Sequence, residues 1–68
     1  MSALAERAGR LVDALNSIEA QVLQLRAELH DAAPASEAVV TLGAVVLRLS
    51  GATTAAMHLA ADLSAKGL

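Results

Sequence analysis

Two histidines and seven carboxylates carry most of the acid–base and metal-binding potential of this 68-residue chain. His58 and Asp62 stand four apart, which sets them on one face of a helix. That spacing suits a pair of metal ligands or an acid–base pair. A metal site needs three or four ligands, and the other histidine, His30, falls near the opposite end of the expected fold. Glu28, His30 and Asp31 form a second polar cluster, which reads as the solvated end of a helix. Ser36, Ser50 and Thr53 have no histidine placed to activate a hydroxyl. The chain has no cysteine, so it offers neither a thiolate ligand nor a disulfide. Gly43 and Gly51 are isolated glycines within a helical pattern, unlike a phosphate-cradling loop. No catalytic, metal or cofactor site is therefore expected, and the chain does not read as an enzyme.

The elements that would hold these residues follow from composition and spacing. Seventeen Ala and twelve Leu, with no Phe, Tyr or Trp, favour helix. A net charge of −2, with no aromatic to stack on a base, argues against a nucleic-acid partner. A chain of this length makes one small domain whose core rarely supplies more than about 3–5 kcal/mol. Glu6, Arg7, Arg10 and Asp13 interrupt the opening stretch, so no secretory leader is expected. Ser2 in second place and the closing Ala65-Lys66-Gly67-Leu68 give no lipidation signal. The absence of cysteine suits a reducing compartment, and the expected location is cytoplasmic.

Leu4, Ala8, Leu11, Leu15, Ile18, Val22, Leu25 and Leu29 recur in alternating steps of four and three. That is a heptad seam, with Ala8, Leu15, Val22 and Leu29 at a and Leu4, Leu11, Ile18 and Leu25 at d. Glu19 falls outside it. Ala38, Leu42, Val45, Leu49, Ala52, Ala56, Leu59 and Leu63 repeat the pattern. Pro34, the only proline, divides the two segments and should open the second helix. The sequence thus predicts an all-α fold, a single antiparallel two-helix hairpin over residues 1–68. Its first helix spans about 2–31 with Ser2 as N-cap, its joint about 32–35 and its second helix about 35–65. Ser50-Gly51 is a candidate break, but the heptad phase runs through it unshifted. Residues whose numbers add to about 67 should lie level, setting Leu15 beside Ala52 and Glu19 near Arg48.

The second helix leaves almost no polar face in its first half, where Val39, Val40, Leu42, Val45, Val46, Leu47 and Leu49 crowd together. A helix apolar all round is a buried helix, and one partner helix covers only one stripe. Val39, Val40, Gly43, Val46, Leu47 and Gly51 are the candidate interface, with the glycines permitting close approach. The partner is expected to be a second copy, completing a four-helix bundle, or another helical protein. Residues 38–61 are also long and apolar enough to be read as a membrane-associated segment, with Arg48 as their one charge. Arg48 near the middle and the amphipathic first helix argue against a span.

Three stretches carry a resemblance. They are Met1-Ser2-Ala3-Leu4, residues 18–29 (IEAQVLQLRAEL) and His58-Leu59-Ala60-Ala61-Asp62-Leu63. The chain resembles the small cytosolic helical hairpins that serve as co-chaperones of type III secretion needle subunits. The resemblance implies a helical-repeat partner and a share in keeping a polymerising subunit soluble. The functional expectation is a non-enzymatic helical protein–protein interaction module, with the co-chaperone and the membrane-associated protein as alternatives.

Overall fold

The computed structural model describes residues 3–68. Helix α1 runs from Ala3 to Ala32 and helix α2 from Glu37 to Ala65, and the two pack antiparallel as one hairpin. Ser2, expected as the cap of α1, lies outside the described residues. The Cα envelope measures 49 × 14 × 9 Å, so the molecule is two helices wide and one helix thick.

The joint spans residues 33–36, one residue later than the sequence suggests. Ser36 N–H donates to the Ala33 carbonyl at 3.0 Å, closing a four-residue turn with Pro34 in its second place. Proline suits that place because its ring already fixes the required φ. Pro34 therefore does not open α2. Ser36 does: its backbone is extended (φ −71°, ψ 139°) and its hydroxyl accepts from Ala38 N–H at 3.1 Å. Serine wins the capping role because its side chain satisfies an N–H that the first turn leaves without a partner. Glu37 in that first turn adds a favourable charge at the positive end of the helix.

Helix α2 continues through Ser50-Gly51 without a break and ends at a complete glycine cap. Gly67 is left-handed at φ +73°. Its N–H donates to the Ser64 carbonyl at 3.1 Å, and Leu68 N–H donates to the Leu63 carbonyl at 2.9 Å. This pair of bonds is the Schellman motif, which serves the orphan carbonyls of the last turn. The Leu68 carbonyl then accepts from Leu4 N–H at 2.8 Å, tying the end of α2 to the start of α1.

The seam itself is displaced. The shielded row of α1 is Ala8, Leu15, Val22 and Leu29 together with Ala5, Val12 and Glu19, the residues one place after d. Leu4, Leu11, Ile18 and Leu25 are instead about half exposed, at 46–53%. Helix α2 mirrors this, shielding Leu42, Leu49, Ala56 and Leu63 with Val39, Val46, Thr53 and Ala60. In the d row of α2, Ala52 and Leu59 are exposed and Val45 is half-buried. At about 100° per residue, the change from d to e turns each helix by roughly 50°. The small residues Ala5, Ala8, Thr53, Ala56 and Ala60 fill the seam toward the open end, and Leu15, Leu29, Leu42 and Leu49 fill it toward the joint. The two rows align when residue numbers add to about 68, setting Leu15 level with Thr53 and Val22 level with Val46.

The two caps yield a stability test. Gly67→Ala forces an alanine into the left-handed region, at a cost of about 1–2 kcal/mol. Ser36→Ala removes the cap of α2, at a cost of about 1 kcal/mol. Urea melts at fixed protein concentration should show both losses. Gly51→Ala, where an added Cβ meets nothing within 4 Å, should instead stabilise by up to about 1 kcal/mol.

Candidate functional site

The polar groups singled out by spacing do not converge. Asp62 receives Lys66 Nζ at 3.0 Å rather than His58, in an exposed pair between residues four apart. Glu28, His30 and Asp31 are exposed on the last turn of α1. Among the described residues, no three His, Asp or Glu side chains gather where one cation would touch them all. The hydroxyls are occupied locally. Ser36 caps α2, and Thr53 donates to the Leu49 carbonyl at 2.8 Å from a buried position. A notch of about 270 Å³ between Leu23, Arg26, Ala27, His30 and Asp31 lies on α1 alone. Small-molecule sites run from about 300 to 1,000 Å³ and enclose most of their ligand. A groove on one side of a single helix encloses little.

What the molecule does present is apolar surface. Among the described residues only Ala8, Thr53 and Ala56 are buried. Ten large apolar side chains are exposed, and they fall in groups. Leu4, Leu11, Ile18 and Leu25 recur every seventh residue on α1, and Leu59 joins them from α2. Leu4, Leu11 and Leu59 line one groove with Ala8 and Leu63, which fixes both rows on the same broad face of the hairpin. Val40 and Leu47 are the most exposed of the ten, at 75% each, and stand on the outer ridge of α2. Leu23 and Met57 are isolated on the opposite broad face.

Five of the six residues predicted as an interface, Val39, Val40, Gly43, Val46 and Leu47, line one groove with Ala44 and Arg26. Val40 and Leu47 point outward, and Gly51 has open space where its Cβ would be. Val39 and Val46 are half-buried in the seam against α1. Gly43 lies under the Arg26 side chain, whose Nη2 would stand 3.5 Å from an added Cβ. The space above Gly43 is thus already filled from within the hairpin. The exposed row of Leu4, Leu11, Ile18 and Leu25 was hidden from sequence reasoning because its spacing is that of a seam.

Among the described residues Glu19 is the one charged residue that is not exposed. It was expected outside, beside Arg48. Its Oε1 is buried with no hydrogen-bond partner. Arg48 is exposed on the far side of α2, and among the described residues the only ion pair is Lys66–Asp62. Arg48, for which Glu19 was the nearest acid by height, makes no ion pair with it among the described residues, because the 50° turn carries Glu19 inward and Arg48 outward.

Compared with known proteins, the chain matches no family model, no curated protein and no solved structure.

Glu19 supplies the prediction. A buried oxygen without a partner costs about 1–3 kcal/mol. Glu19→Leu places an apolar side chain level with Leu49 and should raise stability by about that amount in chemical denaturation. A double-mutant cycle between Glu19→Gln and Arg48→Gln should show no coupling.

Proposed function

We propose that this chain is a non-enzymatic helical interaction module, working by packing its exposed apolar surface against other helices. The observation that supports this most is the poverty of its own core. Among the described residues only two alanines and a threonine are fully buried, while ten large apolar side chains stand exposed. Each of these is worth about 1.5–3 kcal/mol when fully covered. A domain of this size has only a few kcal/mol of stability in all. A surface of this kind marks an association site in a folded protein. The outer ridge of Val40, Leu47 and Gly51 and the broad face of Leu4, Leu11, Ile18 and Leu25 are the two surfaces available. Either a homodimeric bundle or a small adaptor on a helical partner would cover them.

The composition of α2 favours a second reading, a small membrane-associated protein. The helix is long and apolar enough to cross a bilayer, and only 11% of its most apolar stretch is buried. Arg48 in mid-helix counts against it, at about 2.5–3.5 kcal/mol near the bilayer centre. So does α1, which matches α2 in length and packs along it.

Light scattering on the purified chain and its melting temperature across a concentration series separate these readings. An interaction module should associate in solution, or melt low when alone, with a melting temperature that rises with concentration if the association is with itself. The membrane reading instead requires sedimentation with neutral phosphatidylcholine vesicles and aggregation without detergent. A soluble, stable monomer indifferent to Leu47→Asp and to Ile18→Glu would exclude the interaction module.

A further inference from the structure

The two rows that border the a positions of α1 differ sharply. The row turned toward α2 is Ala5, Val12, Glu19 and Arg26, and two of those four are charged. The row left outside is Leu4, Leu11, Ile18 and Leu25, uniformly large, apolar and about half exposed. A helix packed for its own stability turns its most apolar stripe inward. Helix α2 gives no reason against that choice. Its row at e, Val39, Val46, Thr53 and Ala60, and its row at d, Val45, Ala52 and Leu59, are both apolar or small enough to line a seam.

We propose that α1 turns about its own axis between two packings. The first is the one described above, with Glu19 drawn in and the four large residues outward. In the second, α1 is turned by about 50°, so that Leu4, Leu11, Ile18 and Leu25 meet α2 while Glu19 and Arg26 reach water. Ala8, Leu15, Val22 and Leu29 stay in the seam in both, so the change needs a turn and no sliding of one helix past the other. Packed seams are bistable rather than continuously deformable, which makes these two discrete states. The proposal stands on the packing of the hairpin alone. The interaction-module reading supplies its use: the apolar row is hidden until something covers it. A partner that covers the row selects the first packing, as any ligand selects the conformation it contacts better.

Three observations support the turn. The Oε1 of Glu19 is buried with no hydrogen-bond partner, a penalty that only the first packing carries. Arg26 is folded across the seam, with Nη2 3.5 Å from the place of a Cβ on Gly43. It makes no ion pair among the described residues, so no charge contact holds that row inward. The bond from Leu4 N–H to the Leu68 carbonyl, at 2.8 Å, ties the start of α1 to the end of α2. That N–H turns with its helix, and the turned helix carries it off its acceptor. The bond is thus a latch on the first packing, set against the burial of four large side chains in the second.

Paired cysteines distinguish the packings, because the chain has none of its own. A disulfide needs Cα atoms within about 7 Å of each other. Val12 is level with Ala56 across the seam in the first packing, and Leu11 in the second. In a glutathione buffer at low micromolar protein, intramolecular links should form both in Val12→Cys/Ala56→Cys and in Leu11→Cys/Ala56→Cys. Adding Glu19→Leu removes the penalty from the first packing. It should raise the ratio of the first link to the second at least about tenfold. Where Ala56→Cys disturbs the helical circular dichroism, Arg26→Cys/Leu42→Cys and Leu25→Cys/Leu42→Cys ask the same question nearer the joint. One link without the other would leave a single packing and overturn the proposal. So would two links whose ratio ignores Glu19→Leu. Neither result touches the interaction module, which light scattering decides separately.

Discussion

A pair of helices buries one stripe of each, and toward the open end of this hairpin that stripe is lined with small side chains. Ala5, Ala8, Thr53, Ala56 and Ala60 let the two backbones approach along a narrow line. Close approach there increases dispersion contact between the helices, and Leu15, Leu29, Leu42 and Leu49 fill the seam toward the joint. Leu4, Leu11, Ile18 and Leu25 lie at its edge, where each keeps part of its surface in water. The half-exposed row on α1 and the shallow grooves are consequences of this one choice. So is the position of Glu19, which the same rotation brings inward.

The ends of the hairpin are held by hydrogen bonds rather than by packing. At the joint, the Ala33–Ser36 turn and the Ser36 cap account for the N–H groups that begin α2. At the open end, the glycine cap serves the last carbonyls of α2, and the Leu68 carbonyl then receives an N–H from the first turn of α1. One backbone bond thus satisfies an orphan donor of one helix while fixing the end of the other. With so little buried between them, these terminal constraints set the register that the seam alone specifies weakly.

The existence, number and order of the helices were legible in the sequence because period and breaker signals are local. Two heptad runs and one proline suffice to indicate a hairpin. The face that each helix turns inward was not legible. The rows at a and d are apolar, but Ala5, Val12, Val39, Val46 and Ala60 make the row at e nearly as apolar, so pattern alone leaves two rotations close in energy. The choice between them is made only when both helices are packed together. The role of Pro34 was misjudged for a related reason. Proline is welcome both at a helix start and in the second place of a turn, and the capping hydroxyl of Ser36 two residues later decides between them. Of the six residues expected at an interface, Val40, Leu47 and Gly51 stand outward, as their spacing relative to the seam implied. The same rotation brings Val39, Gly43 and Val46 nearer α1, where they line one groove with Val40, Leu47 and Arg26.

Helix α2 carries three threonines, and its apolar character survives them. The Thr41, Thr53 and Thr54 hydroxyls donate to the carbonyls of Glu37, Leu49 and Ser50, each four residues back. A hydroxyl bonded within its own helix needs no water, so it can be covered at low cost. Thr53 shows this directly, being buried in the seam. The polar residues of α2 therefore do not define a wet face in the way that those of α1 do. Helix α1 sets Arg10, Asp13, Asn16, Gln24 and Glu28 toward solvent. The hairpin is accordingly lopsided, with a solvated back on α1 and a back on α2 that stays wet chiefly at Arg48 and Asp62. An element built this way fits the interior of an assembly, with α1 shielding one side of α2. The same self-satisfied hydroxyls would serve in lipid, but an amphipathic companion packed along the helix has no such use there. That companion supports the proposed reading of α2 as the inner helix of a protein assembly rather than as a span.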